Sequence, residues 1–77
     1  MTEAELQSLG FEQIVEDDSW YYYTMTIGNS TTFVSNASDD VVNDEWYIEM
    51  FWDDSIRITQ YMEAARLLTI LRNGVIQ

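Results

Sequence analysis

The chain has 77 residues, 47% hydrophobic and 14% aromatic, with no cysteine, histidine or proline and a formal net charge of −11. At that length one domain spanning residues 1–77 is expected, burying roughly 60–65% of its unfolded surface and held by packing alone, since no disulfide can form. The missing cysteines and histidines also remove the usual zinc sites and the commonest general base, so no cofactor or metal is expected.

Thr2 and Glu5 have the spacing of a capping box, which opens a short helix over Glu3 to Leu9 that Gly10 can end, with Leu6 and Leu9 facing inward. "FEQIVE" reads as a first strand, Asp17-Asp18-Ser19 as a turn, and "WYYYTMTI" as a second strand rich in aromatic and β-branched residues. Gly28-Asn29 predicts a second tight turn into "TTFVS", completing a three-stranded meander. "NASDDVVND", Asn36 to Asp44, reads as the longest loop with room for one helical turn. "EWYIEMFW" follows as the central strand, Asp53-Asp54 as a turn, and "SIRIT" as a short last strand. A C-terminal helix is predicted from about Gln60 to Asn73 with Gly74 as its stop, because Ala64, Leu67, Leu68 and Leu71 recur at helical spacing. The fold class is therefore α+β: a four- to five-stranded antiparallel sheet with a short N-terminal and a longer C-terminal helix on one face.

Strand alternation then sorts the side chains. Tyr23, Met25, Ile27, Trp46, Ile48, Met50, Ile56 and Ile58 are assigned to the helix-covered core, with Trp52 on the same side of its strand as Trp46. Trp20, Tyr22, Glu45, Tyr47, Glu49 and Phe51 are left on an open face, with Asp53 continuing its acidic alternation. Aromatic rings interleaved with carboxylates suit neither a plain solvent face nor a core. They match the make-up of protein interfaces, in which Tyr and Trp supply buried area and rim charges supply steering.

Charge sharpens the expectation. Of the 14 acids, 13 precede the first cation, so residues 1–56 carry a formal −13, while Arg57, Arg66, Arg72 and Glu63 give the remainder +2. Such a field repels nucleic acid and anionic membrane and attracts a basic surface, in a salt-dependent way. Further carboxylates gather at Asp17-Asp18, Asp39-Asp40, Asp44 and Asp53-Asp54, in turns expected to lie together at sheet edges. Alternate strand residues are about 6.7 Å apart, roughly two phosphate steps of about 3.4 Å, so carboxylates at Glu45, Glu49 and Asp53 loosely imitate a phosphate backbone. The competing readings are plain: acidity serves solubility, and each Asp pair serves its turn.

Other chemistry is not encoded. "SDDVVNDE" lacks the alternating ligands and central glycine of an EF-hand loop, and no P-loop, GxSxG or dinucleotide fingerprint occurs, so no enzyme is expected. Asn29-Ser30-Thr31 and Asn36-Ala37-Ser38 fit the glycosylation pattern but read as loop residues. "MTEAELQSLG" is acidic where a secretion signal is basic and then apolar, and no apolar run reaches the length of about 18 residues that spans a bilayer. An intracellular, cytoplasmic protein is expected.

The layout of "LGF" after a short acidic helix, then "WYYY", "EWYIEMF", and "IRIT" leading to "LLTILRNG", resembles short acidic proteins encoded by phages and prophages. That resemblance covers most of the chain and implies inhibition of host machinery, as anti-CRISPR, anti-restriction and DNA-mimic proteins do. It attaches no catalytic residue. The first expectation is thus a module binding a basic protein surface, one that normally handles nucleic acid. The second is a structural or assembly protein that forms a homodimer through its aromatic sheet face.

Overall fold

A computed structural model describes residues 1–28, 31–51 and 53–74, with the backbone alone described at Asp53, Asp54 and Gly74. Helix α1 (Glu3–Leu9) begins as the capping box predicts: Thr2 Oγ1 accepts the Glu5 N–H at 3.2 Å and Glu5 Oε1 accepts the Thr2 N–H at 2.8 Å. It ends at Gly10, whose φ of 99° is a left-handed cap that a side chain would strain. Strands β1 (Glu12–Asp17), β2 (Trp20–Ile27) and β3 (Thr31–Ser35) follow, then a 3₁₀ turn (Ser38–Asp40), strands β4 (Ile48–Met50) and β5 (Asp53–Ile58), and helix α2 (Tyr61–Gly74). Among the described residues the strands form one antiparallel sheet in the order β1-β2-β3-β4-β5. The α+β architecture read from the sequence is the one observed.

One sheet face carries Tyr23, Met25 and Ile27 from β2, Phe33 from β3 and Ile48 from β4. Leu6 from α1 and Ala64 and Leu68 from α2 close over them, and Phe11 and Trp46 fill in from the connections. Burying each such large apolar side chain contributes about 1.5–3 kcal/mol. Leu9, Met50, Ile58, Leu67 and Leu71 pack partly buried around this centre. Arg72 of α2 reaches back to donate from Nη2 to the Leu9 carbonyl at 3.2 Å, satisfying an open acceptor at the end of α1.

Three expectations need correction. "EWYIEMFW" is not the central strand: the ladder holds only Ile48–Met50, beside the edge strand β5, and β3 lies at the centre. The residues before it are held elsewhere. Trp46 N–H donates to the Met1 carbonyl at 2.7 Å, the Met1 amino group donates to the Trp46 carbonyl at 2.9 Å, and Asn36 Oδ1 accepts the Tyr47 N–H at 3.1 Å. With those groups engaged, residues 45–47 cannot extend the ladder, although Trp46 is still buried.

Asp53-Asp54 is likewise no turn between strands. Met50 faces Asp53, so β5 already starts there. Arg57 faces Glu49, so the register between β4 and β5 shifts between Glu49 and Met50. Ile56, assigned to the core, lies in that irregular stretch and is 43% exposed. Trp52 and the Asn29 half of the expected Gly28-Asn29 turn lie outside the described residues; Gly28 has a φ of 65°. Asn36, read as a plain loop residue, is buried.

Candidate protein-docking surface

Register and alternation put Tyr22, Thr24, Thr26, Thr32, Val34, Glu49 and Arg57 on the sheet face away from the helices. β-branched threonines suit such a face because they favour extended backbone and tolerate water. Thr26 and Thr32 share a hydroxyl hydrogen bond of 3.1 Å across β2 and β3. At one corner the rings of Trp20 and Tyr22 stack with centroids 6.0 Å apart and planes at 27°. Burial, then the nearby Glu16 carboxylate, push the Tyr22 hydroxyl above its ordinary pKa.

At the opposite edge Arg57 lies over the Tyr47 ring, its Cζ 4.2 Å from the centroid, and donates from Nη2 to Glu49 Oε2 at 3.3 Å. The Arg57 side chain is 54% exposed and that of Glu49 17%. An ion pair this open to solvent contributes under about 1 kcal/mol, but it sets the local field: it neutralises Glu49 and covers one side of Tyr47.

The acidic residues do not form one patch. β2 runs away from the β1-β2 hairpin and β3 returns, so Asp17, Asp18, Asp39, Asp40, Asp44 and Glu45 fall at one end of the sheet, while Asp53 and Asp54 begin β5 at the other. Ser38 ties the first group together by accepting the Tyr21 N–H on its Oγ at 2.9 Å, which sets the 3₁₀ turn against the start of β2. The regular spacing of Glu45, Glu49 and Asp53 along a single strand is lost because β4 spans only three residues. Phe51 stands apart, 70% exposed.

Two of the acids have structural work. Asp17 Oδ1 accepts from both the N–H and the hydroxyl of Ser19 at 2.6 Å, an Asx turn that holds its carboxyl below the ordinary carboxylate range. Asp44 Oδ1 accepts from Trp46 Nε1 at 2.9 Å and from the Glu3 N–H at 3.1 Å. Asn43 and Asp44 both have left-handed φ, 58° and 56°, and the Glu45 N–H closes onto the Val42 carbonyl at 3.1 Å. Asn and Asp tolerate that conformation better than other side chains. The carboxylates of Asp18, Asp39, Asp40 and Glu45 are left facing solvent.

The chain matches no known protein family, curated protein or solved structure. Among the described residues no three Asp or Glu come close enough to hold a metal ion, and no helix is long and apolar enough to cross a membrane. Sequence reasoning missed Asn36 and Ser38, whose side chains lock the long loop to the sheet. Their only sequence signal was membership of a turn-forming segment.

Proposed function

We propose that the chain is an acidic protein-binding module that covers the basic surface of a nucleic-acid-handling protein, acting by occupancy rather than catalysis, in the manner of the phage inhibitors its layout resembles. One observation carries the reading: an uncovered sheet face bearing Trp20, Tyr22, Glu49 and Arg57-capped Tyr47 adjoins a sheet end where Asp18, Asp39, Asp40 and Glu45 face solvent. Aromatic area gives contact energy, and the −13 of residues 1–56 gives attraction to a cationic partner. Repulsion of nucleic acid by the same field favours a protein partner, and the site of action would be intracellular.

The test immobilises the chain, captures proteins from a bacterial lysate at low and high salt, and challenges the retained material with duplex DNA or RNA. Nucleic-acid-binding proteins retained at low salt and displaced by the competitor are the expected result. Capture indifferent to both salt and nucleic acid would sink the reading.

Self-association, expected from the sequence to run through the aromatic sheet face, is a second reading, and Met62 and Ile70, 62% and 65% exposed on α2, offer a further apolar surface for it. Sedimentation that finds only monomer at high concentration removes it.

A further inference from the structure

A cavity of about 570 Å³ opens between the long loop and β5, with Asn36, Asp40, Val42, Glu45, Tyr47 and Arg57 among its walls. Its polar groups are unequally satisfied. Asn36 is only 7% exposed, and its Oδ1 is used by the Tyr47 N–H. No hydrogen bond among the described residues uses its Nδ2, and no fully enclosed side-chain nitrogen or oxygen lacks a partner. The Asn36 Nδ2 is therefore an open donor that is not fully enclosed, on an otherwise packed side chain of a residue that lines the cavity. Among the described residues the Asp40 and Glu45 carboxylates at the wall also have no hydrogen-bond or ion-pair partner.

Two cations share this wall. Arg57 is answered by Glu49 at 3.3 Å, and the Met1 amino group is tied to the carbonyls of Trp46 and Thr59 at 2.9 and 2.7 Å. Neither neutralises Asp40 or Glu45 through a contact. Val42, 66% exposed, offers an apolar wall beside them. The combination of two free carboxylates, an apolar flank, an aromatic ring and one amide donor fits a long basic side chain: its methylenes lie on Val42, its charge meets the carboxylates, and its own backbone carbonyl takes the Asn36 N–H.

We propose that this cavity seats one arginine or lysine side chain of the partner protein, with Asp40 and Glu45 holding the charge and Asn36 Nδ2 holding the adjacent main-chain carbonyl. The assignment rests on the reading of the chain as a module for basic surfaces and locates where one partner residue anchors. Arg57 shows the chemistry in place, since a guanidinium already lies on the Tyr47 ring at the cavity's edge.

The experiment titrates the full chain with blocked Gly-Arg-Gly peptide and, separately, with the same peptide carrying neutral citrulline, following the Asn36 side-chain amide resonances. Saturating shifts at Asn36 and Glu45 with the arginine peptide, absent with citrulline, are expected. The D40N/E45Q double variant, changed only at exposed positions, should keep the native spectrum and bind about tenfold more weakly. Equal shifts with citrulline, shifts scattered over all acidic turns, or binding unchanged in D40N/E45Q would overturn the seat. These outcomes are separate from the reading above, which stands or falls on nucleic-acid-displaceable capture.

Discussion

The Tyr23 hydroxyl donates to Glu3 Oε2 at 2.6 Å, joining the first turn of α1 to the middle of β2. Tyr21 donates to the same oxygen at 2.9 Å, and Gln7 Nε2 donates to the Tyr23 hydroxyl at 3.0 Å. Tyr23 is 1% exposed and packs edge-on against Trp46 at 5.4 Å. Burial, then the Glu3 carboxylate, push the Tyr23 pKa from 10.0 up to about 12.

Alkaline stability follows from that shift. A group whose folded pKa is raised favours its protonated form in the folded state, so its contribution is complete below pH 10 and is lost as pH climbs toward about 12. At about 1.4 kcal/mol per pKa unit the loss is roughly 2–3 kcal/mol. Melting temperature measured against pH should fall across that window, with tyrosinate absorbance for Tyr23 rising late. Y23F should flatten this alkaline decline, and a decline equally steep in Y23F would refute the assignment.

Asp44 should behave as a structural residue despite its exposure. D44A removes the acceptor for both Trp46 Nε1 and the Glu3 N–H, at an expected cost of about 1–3 kcal/mol in chemical denaturation. D39A, at an exposed position without such bonds, should change stability by less than about 0.5 kcal/mol.

Gly10 gives a backbone test. An added Cβ meets Met25 Cε at 3.5 Å and Arg72 Nη2 at 3.6 Å, ordinary contacts, so the strain of G10A comes from its φ of 99°. A loss of about 1 kcal/mol or more is expected, because α1 would lose its left-handed cap. Unfolding midpoints of G10A and wild type decide it.

L68A should cost about 2–5 kcal/mol, since Leu68 is 1% exposed where α2 meets the sheet. I70A, on the outer side of the same helix, should cost far less. Equal losses would mean that α2 docks by another face.

Arg57 supplies the functional counterpart. R57A frees Glu49 and uncovers Tyr47 while removing less than about 1 kcal/mol of ion-pair stability. Association with a basic partner should therefore become faster and more salt-sensitive, measured as the on-rate at two ionic strengths. Slower association would mean that Arg57 itself contacts the partner.

Much of the fold was legible locally. The Thr2–Glu5 box, Gly10, the second and third strands and the α2 stripe were readable because their signals sit within a few residues: capping geometry, strand alternation and helical period. The candidate site was legible in its residue types but not in its arrangement. Glu45 to Asp54 alternates like one long strand, and only the tertiary structure decided otherwise. Met1 and Asn36, distant in sequence, take the backbone groups of Trp46 and Tyr47 that a strand would have needed. Ile56 was lost to the core for a related reason, because register between β4 and β5 depends on pairing that alternation cannot express.

The sequence by itself determined the charge imbalance, the aromatic surplus and the secondary elements that local periodicity encodes. Strand order, the split of the acids between two ends of the sheet, the Glu3–Tyr23 bond and the cavity beside Asn36 were decided by long-range contacts. Such contacts depend on which distant backbone and side-chain groups satisfy one another once the core has closed, and no local pattern carries that information.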